Sequence, residues 1–388
     1  MRKLALLLLF VAMVSPAYAA KRVTVAQLEQ TLTAIHGKSD TEIAKQIYGL
    51  ELTERLNAAK LAQWEKELSG SETRQALIAL ADQSAFFDPP PAENPTTAAP
   101  DTDSQRQLLQ QAEQRVAETL TKLPNFFADR KINLFEDTPA HQGPASVSSA
   151  YVPYRPLHQV AKFSSTVLYR DHKEVVDWGD QKIDESDEVA LSLLTTGEFG
   201  PILHMVLADG GQGTLSWSHW EQSAAGQEAV YRYSVPKGKS HYQTQFCCIP
   251  AGSNHVYKEF SGYHGEITLD AINGTIHRLT LQADLKAPNP MTKTNLMVEY
   301  GPVEIGGKTY ICPVRSVALA LAQPQARSQS GLADSIGFLG LHGSGEESNS
   351  MPETSLQTLL IDVTFEKYHM FRSESRILVD NNPEPKEK

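Results

Sequence analysis

The sequence predicts an α+β protein in which an antiparallel β-sheet packs on helices, preceded by a small helical N-terminal module. In the first part of the chain, apolar side chains recur at intervals of three and four, which is the spacing of amphipathic helices. After Pro124, alternating polar and apolar runs succeed one another and are separated by turn pairs such as Asn273-Gly274 and Gly306-Gly307. Sequential hairpins of this kind predict an antiparallel sheet with one face open to water and argue against a Rossmann-type fold.

The chain begins with a segment typical of secretory signal peptides. Arg2 and Lys3 form a basic start, an apolar run follows, and a small-x-small pattern ends at Ala19. We expect cleavage after Ala19, which makes 1–19 a signal peptide and the mature protein an exported one, either periplasmic or secreted. A spanning helix needs about 20 apolar residues, and no later stretch supplies them, so we predict no transmembrane segment after signal removal.

Residues 20–88 predict a helical module made of four short amphipathic helices. The first helix places Val25, Leu28 and Leu32 at helical spacing. Such helices form either a small bundle that buries its own apolar faces or a module that binds a partner. The next segment, 89–103, is rich in proline and small polar residues, which predicts a semi-rigid linker and a domain boundary.

Residues 104–380 predict a β-rich α+β domain that begins with one long helix. This helix covers about 104–123 and ends before Pro124, and strands follow it. A long loop is predicted at 323–357, and loops of more than about 12–15 residues are usually functional lids or disordered insertions. The last residues, 381–388, predict a disordered tail.

The segment 197–209 departs from the β pattern because it predicts an apolar helix. This helix must bury its apolar face on the sheet, and it leaves beside it either a packed core or a pocket. Protein interiors are close-packed, which favours the core. A ligand pocket would measure about 300–1,000 Å³ and be mostly apolar. The candidate ligand-binding residues are the apolar ones of this face: Phe199, Ile202, Leu203, Val206 and Leu207.

The chain has three cysteines, Cys247, Cys248 and Cys312. In an exported protein, thiols tend to form disulfides. Strand alternation turns Cys247 and Cys248 to opposite sides, and Cys248 shares the more apolar row with Tyr242 and Phe246. This parity favours a Cys248–Cys312 disulfide, while buried thiols and a reactive thiol remain alternatives. The spacing fits no zinc-binding motif.

Short groupings of catalytic residue types occur, but none completes an active site. In WSHWE, strand alternation places Trp217, His219 and Glu221 on one face. Trp220 then lies on the opposite face. A hydrogen-bonded pair explains the histidine and glutamate better than a metal site or a proton relay does. HExxH, EF-hand and P-loop motifs are absent, Ser344 lacks a nucleophile elbow, and we predict no catalytic residue, metal site or cofactor.

The formal net charge is −11. A chain this acidic and without a basic stripe is not expected to bind nucleic acid or anionic lipid surfaces, which require clustered Lys and Arg. We therefore expect a partner of another kind, either an apolar ligand or an envelope protein.

Several stretches resemble those of a family of bacterial exported proteins without an assigned activity. They spread over most of 120–378 and include LPNFFADRKINLFED, FGPIL, GTLSWSHWEQ, YHGEITLDAINGTIHRLTL, VEYGPVEIGGKTYICPVRS and KYHMFRSESRIL. This resemblance transfers no catalytic residue. More distantly, the order of elements is similar to the lipoprotein-carrier half-barrels of the bacterial envelope, through Leu269–Arg278 and Gly306–Pro313.

The second resemblance implies a curved, half-barrel-like antiparallel sheet around an apolar cavity that helices close and acyl chains fill. The chain departs from that pattern by its length, its added helical module and the absence of a motif for lipoprotein transfer. We therefore expect an exported non-catalytic binding protein of the bacterial envelope that holds an apolar or lipid-like ligand. The alternatives are a secreted hydrolase that uses the 323–357 loop as a lid and a structural envelope protein.

Overall fold

A computed structural model describes residues 20–139, 141–142, 151–152, 154–180, 197–223, 226–247, 256–286, 289, 291–322 and 356–371. The predicted signal peptide, Cys248, nearly all of the predicted long loop and the predicted C-terminal tail lie outside these residues. The chain divides into two compact units. One comprises the described residues within 1–92, 135–159 and 344–358, and the other comprises those within 93–134, 160–343 and 359–388.

The first unit contains the predicted helical module. Its helices are α1 (Val25–Ile35), α2 (Asp40–Tyr48), α3 (Ala58–Glu67) and α4 (Ser71–Ser84). Thr24 begins α1 with a capping box that involves Gln27. Two short strands, β1 (Lys21–Val23) and β2 (Leu50–Leu52), pair in parallel, which the sequence pattern did not predict. The apolar faces of the helices pack into one core, which includes Leu28, Leu32, Ile47, Trp64 and Leu77.

Helix α5 (Thr102–Lys122) is the long helix that was predicted before the strands. Its first residue lies two positions before the predicted start, because the carboxylate of Asp101 accepts the backbone N–H groups of Asp103 and Ser104 and caps the helix. The segment that precedes α5 was predicted as a linker. It includes one short 3₁₀ turn at Pro91–Glu93.

Ten strands of the described residues form one large antiparallel sheet that is not closed, in the order β7-β6-β3-β16-β15-β14-β13-β12-β9-β8. Two further pairs, β4 with β5 and β10 with β11, are separate. An α+β fold with a large antiparallel sheet is therefore confirmed. The strands are β3 (Phe126–Thr138), β4 (His141–Gln142), β5 (Tyr151–Val152), β6 (Arg155–Arg170), β7 (Lys173–Asp177), β8 (Thr214–Ser223), β9 (Gly226–Val235), β10 (Gln243–Cys247), β11 (Val256–Phe260), β12 (Gly262–Asp270), β13 (Ile276–Asp284), β14 (Met291–Ile305), β15 (Lys308–Ala322) and β16 (Gln357–Met370).

The predicted hairpins form, but strand β8 departs from the predicted alternation of side chains. Gly306 and Gly307 have φ angles of 62° and 79° and connect β14 to β15 in a two-residue turn. In β8, however, the register shifts between Trp217 and His219, so Ser218 is an extra residue in the strand. This bulge interrupts the alternation, and the rings of Trp217 and Trp220 contact each other with centroids 4.6 Å apart. The prediction that these two rings lie on opposite faces is wrong.

Helix α6 (Pro201–Gln212) lies in the connection between β7 and β8, which form opposite edges of the sheet. The prediction placed this helix at 197–209. It starts later because Gly197 and Gly200 have φ angles of 103° and 142°, which helical backbone does not adopt. It ends later because the glycines after Asp209 remain helical. None of the helices in the described part of the chain is long and apolar enough to span a membrane.

Two apolar clusters form the core of the second unit. In one cluster, α5 and α6 pack on β9 and on β12 to β14, and this cluster contains Ile202, Leu203, Val206 and Leu207. In the other cluster, Phe199 packs against residues of β3, β6 and β16. All five residues predicted to bind a ligand are therefore buried within the protein core.

Candidate functional site

A small cavity lies between α5, the start of α6 and strands β13 to β15, and its volume is about 60 Å³. It extends from Arg115, which is exposed, to Cys312, which is 1% exposed. Of the five predicted ligand-binding residues, Phe199 and Leu203 line the cavity, and the other three pack elsewhere in the core. Its walls are mostly apolar and include Val116, Leu120, Leu123, Phe199, Leu203 and Ile311.

Gly200 determines how closely α5 approaches α6 beside this cavity. A Cβ atom on Gly200 would lie 1.8 Å from Cδ2 of Leu120, so any larger residue would require the Leu120 side chain to move. The positive φ of Gly200 also disfavours any other residue type at this position. Both features place the Leu120 side chain directly against the start of α6.

Tyr300 lines this cavity and carries a buried polar hydroxyl. Tyr300 is 6% exposed, and its hydroxyl has no hydrogen-bond partner among the described residues. The pKa of Tyr300 is raised well above its ordinary value, first by burial and then by the negative charges of Glu198 and Glu174. The hydroxyl therefore stays protonated and is able to donate a hydrogen bond.

Glu174, a half-buried residue of β7, holds the turn that leads into α6. Its carboxylate accepts the backbone N–H of Gly197 at 2.8 Å and that of Phe199 at 3.1 Å. The pKa of Glu174 is raised to about 7, first by burial and then by the charge of Glu198, which outweigh both hydrogen bonds and the attraction of Arg130. Glu174 thus exchanges its proton near neutral pH.

Arg130 supplies a positive charge to this acidic group. It is 2% exposed, and its guanidinium carbon lies 5.6 Å from the ring centroid of Phe365, which is cation–π distance. Within the described ranges, its Nε and Nη2 atoms have no hydrogen-bond partner. Glu174, Glu198 and Arg130 therefore form a cluster of ionisable side chains next to the cavity wall.

Cys312 is a free thiol in the part of the chain that the structure describes. Burial raises the pKa of this thiol to about 12, so it stays protonated, and a reactive thiolate at this position is disfavoured. Cys248 lies outside the described residues. The Cys248–Cys312 disulfide therefore stays a prediction.

A second, larger concavity of about 640 Å³ runs along the other side of α6. His172, His204 and His241 line this groove together with Asp209, which is 0% exposed. The apolar part of its wall comes from Leu120, Pro201, Met205 and Ala208.

Asp209 is held by donors from two other segments of the chain. Its carboxylate accepts the backbone N–H of His241 at 2.9 Å, Nδ1 of His241 at 2.6 Å and the hydroxyl of Tyr263 at 2.9 Å. Burial acts to raise the pKa of Asp209, but the hydrogen bonds from His241 and Tyr263 outweigh it and lower that pKa. Since an ionised carboxylate only accepts, Nδ1 carries a proton, and in the neutral imidazole Nε2 is the acceptor.

His219 and His264 each have a carboxylate partner. His219 and Glu221 lie 3.0 Å apart, as the predicted hydrogen-bonded pair requires. His264 contacts Asp284 at 2.8 Å, whereas Glu266 accepts from Arg232. Among the described residues, no group of three or more His, Cys, Asp or Glu side chains is arranged to hold a metal ion.

The polar groups of both sites were not identified from the sequence. Tyr300 belongs to an ordinary alternating strand, and Asp209 is the last residue of the helix predicted at 197–209. Glu174 and its partners at Gly197 and Phe199 lie far apart in the sequence, and no local signal connects them. Compared with known proteins, the chain matches no protein-family model, and no curated protein or solved structure is significantly similar to it.

Proposed function

We propose that the protein is an exported, non-catalytic binding protein of the bacterial envelope that holds an apolar or lipid-like ligand between its helices and its sheet. The observation that carries this proposal is the cavity that leads from exposed Arg115 to buried Cys312 along apolar side chains. The proposal includes a curvature of the ten-stranded sheet around α5 and α6, as in the half-barrel carriers that the sequence resembles.

A ligand chain enters this cavity by separating α5 from the start of α6. At about 60 Å³, the cavity is smaller than the roughly 300–1,000 Å³ of typical ligand sites. It accepts the end of a chain while the helices stay in contact, and a longer ligand displaces Leu120 from Gly200. The proposal therefore predicts a ligand-induced movement at this helix contact.

Uptake of an uncharged fluorescent probe, N-phenylnaphthylamine, by the delipidated mature chain tests the binding function. Leu203→Trp places a bulky ring in the cavity and is expected to reduce probe affinity by about tenfold or more. Ala208→Trp is the matched control, because Ala208 lies on the exposed side of the same helix. Thermal unfolding establishes that both variants are folded. Absence of uptake by the unmodified protein would contradict the proposal, and unchanged affinity of Leu203→Trp would exclude this cavity.

A second candidate function is ester hydrolysis in the groove along α6, with His241 as general base. The Asp209–His241 pair favours it, because the buried carboxylate orients the imidazole and leaves Nε2 able to take a proton. Water attacks the ester carbonyl carbon and gives its proton to Nε2. The imidazolium then returns this proton to the departing alkoxide, so the ester yields an acid and an alcohol.

Hydrolysis of p-nitrophenyl butyrate tests this second function. His241→Asn keeps a side-chain donor for Asp209 but removes the base, and it is expected to lower the rate about 100-fold or more. His264→Asn is the matched control, because His264 forms a similar exposed pair with Asp284 but does not line the groove. Equal rates for His241→Asn and the unmodified protein would eliminate the hydrolase.

A further inference from the structure

We infer that the ligand in the cavity presents an uncharged hydrogen-bond acceptor, such as an ester, amide or alcohol oxygen, to the hydroxyl of Tyr300; the inference rests on the binding function proposed above. Tyr300 lines the cavity, and its buried hydroxyl has no hydrogen-bond partner in the part of the chain that the structure describes. Buried donors without an acceptor are rare in native proteins, because each one destabilises the folded state. A ligand that supplies the acceptor removes this cost.

The strand that carries Tyr300 is irregular at this residue. The register of β14 and β15 shifts between Glu299 and Tyr300, and Tyr300 lies opposite Pro313. The carbonyl oxygen of Pro313 already accepts the hydroxyl of Tyr368. Irregularities of this kind in a sheet re-aim side chains and are frequent beside binding sites. The carbonyl of the residue opposite Tyr300 thus already accepts another hydroxyl, while the Tyr300 side chain lines the cavity.

An anionic head group does not suit this position. Glu174 and Glu198 are close enough to Tyr300 that their negative charges raise the pKa of its hydroxyl. The same negative potential repels a ligand carboxylate or phosphate, and it keeps the tyrosine protonated as a donor. Both effects favour an acceptor without a charge.

A cationic head group is disfavoured for other reasons. The buried cluster already contains the guanidinium of Arg130, which attracts the charge of Glu174. Arg115 adds a second positive charge at the exposed end of the cavity, where a ligand enters. An ammonium group would also lose its water in a mostly apolar cavity. A neutral oxygen is the acceptor that meets none of these penalties.

Three ligands with the same octyl chain separate these classes: octanol, octanoate and octylamine. Their affinities are measured near neutral pH from their displacement of N-phenylnaphthylamine. Octanol is expected to bind about fivefold or more tightly than either charged ligand. Tyr300→Phe removes the hydroxyl and keeps the ring, and it is expected to weaken octanol binding about five- to tenfold, with the affinity of the variant for the probe itself measured first.

Tyr233→Phe is the matched control, because its buried hydroxyl donates to the carbonyl of Thr280 and does not line the cavity. It should lower the thermal stability of the ligand-free protein and leave octanol affinity unchanged, whereas Tyr300→Phe should not lower that stability. Equal or tighter binding of octanoate or octylamine, or unchanged octanol binding by Tyr300→Phe, would overturn the inference. If N-phenylnaphthylamine is not taken up at all, the binding function fails together with it; if the probe binds but the three ligands bind alike, only the inference fails.

Discussion

Helix α6 has a carboxylate next to each end, and the two acids depart from ordinary behaviour in opposite directions. Asp209, near the end of the helix, is the more buried of the two, yet its pKa is lowered. Glu174 contacts the turn before the helix, and its pKa is raised to about 7. The helix dipole would favour the opposite result, since it stabilises negative charge at the start of a helix and destabilises it at the end.

The difference lies in what surrounds each carboxylate. Asp209 accepts two bonds from His241 and one from the Tyr263 hydroxyl. Among the described residues, Glu174 accepts only backbone N–H groups, and it faces the like charge of Glu198. Burial raises the pKa of Glu174, where two backbone donors do not offset it, whereas at Asp209 the donors of His241 and Tyr263 outweigh burial. The cavity adjoins the start of α6, next to Glu174, the carboxylate with fewer donors. The binding proposal requires α5 and α6 to separate at this place.

The largest effect on the free energy of unfolding is expected from removing the carboxylate of Asp209. Asp209→Leu leaves the buried hydroxyl of Tyr263 and the donors of His241 without their acceptor, and it should reduce the free energy of unfolding by about 3–5 kcal/mol. Urea-induced unfolding measures this loss. A loss below about 1 kcal/mol would mean that the hydrogen bonds to Asp209 do not stabilise the end of α6.

The next largest effect is a pH dependence that arises from Glu174. Its folded-state pKa of about 7 lies above the ordinary value of 4.5, so the native state keeps a proton that the unfolded chain releases. The native state is therefore favoured below pH 4.5 and loses about 3 kcal/mol of stability as the pH rises to 7. Glu174→Gln should remove this slope, which unfolding at about pH 5 and about pH 8 measures.

Asp209 provides the internal contrast for this experiment. Its pKa is lowered below the ordinary 3.8, so its contribution is present above that pH and is lost as the pH falls through the folded-state value. Asp209→Asn should therefore leave the slope between pH 5 and pH 7 as it is in the unmodified protein, within about 0.5 kcal/mol. Glu174→Gln with an unchanged slope would show that another group titrates in this range.

Local sequence patterns predict the elements that carry these two acids, but not the acids' environments. The turn at Gly306-Gly307 and the helix of α5 follow from residue types within a few positions. The bulge at Ser218 has no such signal, so the faces of Trp217 and Trp220 were predicted incorrectly. Likewise, α6 starts late because of two glycine conformations that hydrophobic periodicity does not reveal.

The polar contacts of both sites depend on residues that are distant in the sequence. Asp209 is 32 positions from His241 and 54 from Tyr263, and Glu174 is 25 positions from Phe199. Such contacts are set by the order of strands in the sheet, and a single sequence contains no local pattern for them. For this reason the apolar lining of the cavity was predicted in part, through Phe199 and Leu203, while the hydroxyl of Tyr300 was not.

A smaller effect is expected from Tyr263→Phe, which removes one of the hydrogen bonds to Asp209 and keeps the ring in the core. Hydrogen bonds to charged groups contribute about 1.5–3 kcal/mol, so a loss of about 2 kcal/mol in the free energy of unfolding is expected. The variant should also raise the pKa of Asp209, because one of the interactions that lower it is gone. Acid unfolding would then begin at a higher pH; an unchanged acid transition would contradict the role of this hydroxyl.

The smallest effect is expected from His241→Asn. The side chain of His241 is 72% exposed, and its backbone N–H bond to Asp209 does not depend on the imidazole. Asn offers a side-chain N–H near the position of Nδ1, so the free energy of unfolding should change by less than about 0.5 kcal/mol. His241→Ala, which offers no side-chain donor, should lose about 1 kcal/mol. If His241→Asn is as destabilising as Asp209→Leu, the imidazole itself holds the end of α6, and the stability of that end does not come from the number of donors around Asp209.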